Sequence, residues 1–161
     1  MMSHRAFEPK TFYDLAVYIK EWLLDTIPKE LRQAANRTCI SRAYYAVFLS
    51  LRENILALPI RDEELRRVIE RTEDAHAIVA ESIKGIDFKI GNYLLNLRSA
   101  RNRADYRTDI EVMSDDVTYV LRIATEIFNE LTAIAGRLKE PDILSAWSRI
   151  QKERERRYRV K

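Results

Sequence analysis

The chain has 161 residues, 47% of them hydrophobic, enough to bury a core without cross-links. Three glycines and four prolines are too few turn residues for a β-sandwich or barrel, and a single cysteine, Cys39, excludes an internal disulfide or a cysteine-rich metal site. The net charge of +3 is lopsided, because residues 149–161 carry seven basic side chains against two acidic ones, so the basic character belongs to this segment and the remainder is slightly acidic.

Residues 1–10 contain His4, Arg5 and Glu8 but no apolar stretch of the kind that marks a secretory signal. No apolar run approaches the roughly eighteen residues of a membrane span, so a cytoplasmic protein without membrane contact is expected.

The first helix is expected over Thr11–Thr26, with Phe12, Leu15, Ile19, Trp22 and Leu23 on one face. Pro28 breaks it. The second, from about Leu31 to Leu56, carries the clearest apolar stripe: Ile40, Tyr44, Val47, Leu51, Ile55 and Leu58, widened by Cys39, Ala43 and Phe48. Asp62 is an N-cap for the third, which runs through Leu65, Ile69, Ala75, Ile78, Val79 and Ile83 to a stop at Gly85. The polar stretch between Arg71 and Asp74 is either a kink or a short loop. A fourth helix runs from Asp87 or Phe88 to Tyr106, burying Ile90, Tyr93, Leu94, Leu97, Ala100 and Ala104. Ser114 caps the fifth, whose inner face is Val117, Val120, Leu121, Ala124, Ile127, Phe128, Leu131 and Ile134, with Gly136 near its end. Pro141 introduces a basic final helix, only partly docked. The expected fold is therefore all-α: an up-and-down bundle of about five helices over residues 1–140, then a basic helix or tail over 141–161.

Three stretches carry a resemblance. Arg37-Thr-Cys-Ile-Ser-Arg-Ala-Tyr-Tyr-Ala-Val-Phe48, Asp74-Ala-His-Ala-Ile-Val79 and Leu97-Arg-Ser-Ala-Arg-Asn-Arg-Ala-Asp-Tyr106 are similar, in order and separation, to motifs of HEPN-domain proteins. The resemblance spans roughly residues 11–138. It implies a helical bundle that forms a homodimer with the motif helices meeting across a cleft. It also implies metal-independent endoribonuclease activity, often in a toxin paired with a nucleotidyltransferase antitoxin. The family signature is an arginine, a short spacer opening on a polar residue, then a histidine. Arg101 matches the arginine and Asn102 the polar neighbour, but Tyr106 stands in the histidine slot.

Metal-free RNA cleavage needs a base for the 2′-hydroxyl proton and a cation for the phosphorane. Arginine supplies the cation as a planar, permanently charged fork. Histidine supplies the base because it titrates near neutrality. A tyrosine has a reference pKa near 10, so about a thousandth is phenolate at pH 7. Arg98, Arg101, Arg103 and Arg107 are expected to lie close together and lower that value, with Asp105 opposing them. Asp105 is itself a candidate base, but stepping about 100° per residue from Ala104 is expected to turn it away from Arg101. The phosphate-binding half of the site is kept and the proton-transfer half is lost.

Catalytic roles thus fall to Arg101, Asn102 and Tyr106, and nucleic-acid contacts to Arg98, Arg103, Arg42 and Tyr45. The alternative for the arginines is a solvated helix face. Tyr44 and Tyr45 either stack on bases or pack in the core or an interface. His76 either replaces the missing base across a dimer or is a hydrogen-bonded histidine at a helix junction. The tail from Arg149 either meets phosphates or is a solvated terminus. No cofactor is expected, and no metal, since a carboxylate-bridged bundle takes a Glu-x-x-His motif from each of two helices. The functional expectation is an RNA-directed HEPN-like protein with a degenerate active site; the alternative is a non-catalytic scaffold for a nucleotidyltransferase or another protein.

Overall fold

A computed structural model describes residues 6–159; His4, Arg5 and the last two residues of the basic tail lie outside that range. Among the described residues all regular structure is helical, and the class is the expected all-α one, with bundle-like packing. The α-helices are α1 (Lys10–Tyr18), α2 (Arg32–Leu56), α3 (Glu63–Arg71), α4 (Asp74–Ile86), α5 (Phe88–Tyr106), α6 (Ser114–Arg137) and α7 (Glu140–Arg159). None is long and apolar enough to cross a membrane. The described residues fall into two compact units, 6–50 with 96–128 and 51–95 with 129–159.

In the first unit, the stripe read on α2 is the core: Cys39, Ile40, Ala43, Tyr44, Val47 and Phe48 are all buried. Leu97, Ala100 and Ala104 of α5 and Val117, Val120, Ala124 and Ile127 of α6 are buried with them. Tyr13 of α1 shares a 2.6 Å hydrogen bond with Thr125 and an edge-on ring contact with Phe128, which fix α1 on α6. The first helix departs from expectation. After Tyr18 the chain widens into a π-turn over Ile19–Leu23, and a short 3-10 turn, Lys29–Leu31, precedes α2. Ala16 is the buried residue of α1, while Leu15, Tyr18 and Trp22 are 44%, 53% and 68% exposed. The face containing Leu15 and Trp22 is therefore not the core face.

Cys39 donates its Sγ–H to the Ala16 carbonyl at 3.4 Å, and burial pushes its thiol up to about 11. Reactivity needs thiolate and access. The native protein is therefore expected to leave an aromatic disulfide reagent unreacted at pH 8, and one thiol is expected to appear on denaturation. Rapid labelling of the folded protein would contradict this burial.

In the second unit Leu65 and Ile69 of α3 and Ala75, Ile78, Val79 and Ile83 of α4 are buried, as their spacing foretold. Asp62 caps α3 by accepting from the Leu65 N–H at 2.9 Å. The polar stretch is a true break: Thr72 turns extended and α4 starts afresh at Asp74, which raises the helix number above the expected one. Gly85 is not a stop. No glycine has positive φ among the described residues, and α4 runs on to Ile86, where Asp87 is extended and accepts from the Ile90 N–H at 3.0 Å to start α5. At α6 the capping side chain is Asp116, reaching back to the Met113 N–H at 2.8 Å, and Ser114 is the first helical residue instead of the cap.

The final helix docks on α4 through buried Ile143, Ala146 and Ile150. Arg149 approaches Glu81, and Arg154 holds the Asp74 carboxylate in a two-pronged pair, one bond being 3.0 Å. The Arg154 hydrogen bond holds the Asp74 carboxyl below the usual range. A depressed carboxyl stabilises the fold above its unfolded pKa of about 3.9 and loses that contribution as pH falls through the folded value. Attachment of α7 is therefore expected to weaken below about pH 4. Hydrogen exchange of α7 amides at pH 3 and 6 reads this, and Asp74→Asn should remove the difference.

Candidate anion site on the first unit

The cluster is built where α5 runs beside α2. Arg101, at a position where the helix faces inward, is only 6% exposed. Its guanidinium carbon lies 5.2 Å from the ring centroids of both Tyr44 and Tyr45 and 5.8 Å from that of Tyr106. The π faces offset part of the cost of burying the cation. Arg101 Nη1 donates to the Tyr106 hydroxyl at 3.3 Å, whereas its buried Nε has no hydrogen-bond partner. Burial pushes the Tyr44 phenol up to about 12, although the charges of Arg98 and Arg101 pull it partly back. Tyr44 is both core residue and wall of the site.

Asp105 corrects the expectation drawn from its chain neighbour. It stands four residues after Arg101, on the same helical face, and its Oδ2 is 3.9 Å from Arg101 Nε. The same oxygen accepts from Ser41 Oγ at 3.2 Å, and Ser41 in turn accepts from Arg42 at 3.5 Å. Arg42 is sandwiched between rings, 4.6 Å from Phe12 and 5.3 Å from Tyr45. Arg42, Tyr45, Arg101 and Tyr106 thus come together, with Arg98 half-buried on the same side of α5.

The three arginines of α5 and Arg107 just beyond it do not form one patch. Arg103 lies about 200° around the helix from Arg101 and is exposed. Arg107 is drawn off by Asp109, with bonds of 2.7 and 2.8 Å. Asn102 is exposed about 100° from Arg101. Tyr106 is 71% exposed, hung from the last turn of α5. His76 is half-buried at the start of α4 in the second unit.

Arg37 is the contributor to which the reading of the sequence assigned no site role. Arg37 reaches the end of α5 and donates to the carbonyls of Ala104 at 2.6 Å, Arg107 at 3.1 Å and Ile110 at 2.6 Å. It satisfies acceptors that a helix end leaves open. The four-residue step from Arg37 to Ser41, and from Arg101 to Asp105, was the available signal. Beside Asp105 an open cavity of about 510 Å³ is lined by Arg37, Asp105, Asp109 and Glu111. Arg37 is engaged by carbonyls, so the carboxylates dominate this wall and repel phosphate. Among the described residues no three His, Cys, Asp or Glu side chains are grouped to hold a metal ion.

Comparison of the chain with protein-family models, with curated proteins and with solved structures finds no match in any of the three.

Proposed function

We propose that this chain is a HEPN-like, RNA-directed protein that works as a homodimer and binds a strand phosphate through Arg101 without cleaving it. The observation that carries the reading is a buried guanidinium whose Nε makes no hydrogen bond, set among Tyr44, Tyr45 and Asp105, with the exposed phenol of Tyr106 on its outer side. A phosphate oxygen makes charge-assisted bonds to such a fork, stronger than the long bond to a neutral hydroxyl it would replace. The exposed ring of Tyr106 offers a face for stacking of a flanking base, while Tyr45 is held by Arg42 and Arg101. Turnover lacks a base: the histidine slot holds Tyr106, and the one carboxylate at hand, Asp105, is engaged by Ser41 and lies against Arg101.

Labelled single-stranded RNA incubated with the purified protein in the presence of a chelator tests this. Retention of intact RNA is the expected result, lost in Arg101→Ala. Chelator-resistant cleavage that disappears in Arg101→Ala would restore the endoribonuclease reading.

The scaffold reading has its own observation. Leu15, Tyr18 and Trp22 stand on one exposed side of the α1 segment, the kind of apolar surface that protein partners cover. A nucleotidyltransferase antitoxin is the partner that the family resemblance suggests. Failure of the intact protein to retain RNA would favour this reading.

A further inference from the structure

Helix α7 separates its charges by face. Its inner side is set by buried Ile143, Ala146 and Ile150, continued by the Arg154–Asp74 pair. Stepping about 100° per residue, Lys152, Arg156 and Arg159 fall within about 60° of one another on the side opposite Ile150, with Ser145 and Ser148 on the same arc. Glu153 and Glu155 lie outside the arc, and none of the three cations has a carboxylate within ion-pair distance among the described residues. Arg149, at the edge, is engaged by Glu81. All three cations are exposed, and the stripe climbs about 10 Å along the helix from Lys152 to Arg159.

We infer that this outer face of α7 is a second RNA contact, one that holds the phosphate backbone without reading sequence. Single-sign charge on an ordered helix matches a polyanion, and lysine, arginine and serine are the side chains that meet phosphate oxygens. The arc contains no aromatic or aliphatic anchor, which the centre of a protein interface requires. The inner face already holds α7 in place, so the stripe is available without undocking the helix. The inference rests on the RNA reading for the identity of the ligand, but its charge argument owes nothing to Arg101.

The test uses the full chain and a labelled homopolymer RNA of about 20 nucleotides, titrated between 50 and 200 mM salt. Each phosphate contact on a single strand contributes about 0.7 to the slope of log affinity against log salt. The triple variant Lys152→Gln, Arg156→Gln, Arg159→Gln is expected to lower that slope by about 2. Over this salt range the wild type should then lose roughly 20-fold more affinity than the variant. Glutamine keeps helix propensity at these exposed sites, and circular dichroism checks that the helix content is unchanged. An unaltered slope in the triple variant overturns the inference. So does competition by a glutamate polymer as effective as that by unlabelled RNA, which assigns the stripe to acidic protein. If the triple variant loses slope while Arg101→Ala binds as wild type, the Arg101 reading fails and the stripe stands. If wild type binds no RNA, both fail.

Discussion

Gly91→Ala is expected to lower the melting temperature by about 4–8 °C, although alanine is the better helix former. A Cβ at Gly91 would run into Lys84 Cα and lie 2.7 Å from Lys84 N, so that backbone must move. The reason is the tight corner at Asp87, which ends α4 and caps α5, so that α5 leaves against the last turns of α4. Overpacking costs about 3 kcal/mol. The gain in helix propensity offsets about 1 kcal/mol of it. Gly136→Ala is the matched control, because nothing lies within 4 Å of its added methyl. It is the penultimate residue of α6, so the gain should be less than the roughly 1 kcal/mol of a helix interior, raising the midpoint by no more than about 2 °C. Equal midpoints for the two variants would remove the close approach from the account.

Arg101 is the other position where one substitution should have a large effect. Arg101→Ala empties a space bounded by Tyr44, Tyr45 and Tyr106 and removes the cation from their faces. A loss of about 2–4 kcal/mol of stability is expected from the cavity. RNA affinity should fall at least tenfold, the equivalent of about 1.4 kcal/mol. Arg101→Lys separates the two effects. An ammonium still sits over the rings, so most of the stability should return, but it has no planar fork for phosphate and affinity should stay low. Thermal melts and RNA titrations on the same samples decide between roles. A lysine variant that recovers RNA binding along with stability would remove the planar fork from the account and leave only the charge.

The difference between what could and could not be read from the residues is physical. On α2, α5 and α6 the apolar residues recur at helical spacing over several turns, so the buried side was legible down to Tyr44 and Ile127. On α1 the reading turned Leu15 and Trp22 inward, but the helix packs through Ala16 and Tyr13, and the π-turn after Tyr18 re-aims only the residues beyond it, Trp22 among them. The break between α3 and α4 was visible as polarity without its form, which depends on the extended backbone of Thr72. Gly85 looked like a terminator because glycine favours left-handed ends, but here Asp87 does that work with an ordinary extended backbone. In the candidate site, Arg101 and Tyr106 were legible from the motif. Asp105 was misplaced by reasoning from its adjacent residue, when its position relative to Arg101 is set by the four-residue step.

The end of α5 would fray if left to itself, since its final carbonyls lack partners within the helix. Arg37 ties three of the carbonyls there and just beyond to α2. Tyr106 is therefore carried by a helix end that is tied to the helix bearing Tyr44 and Tyr45, so the backbone beneath the phenol and the ring cage share one frame.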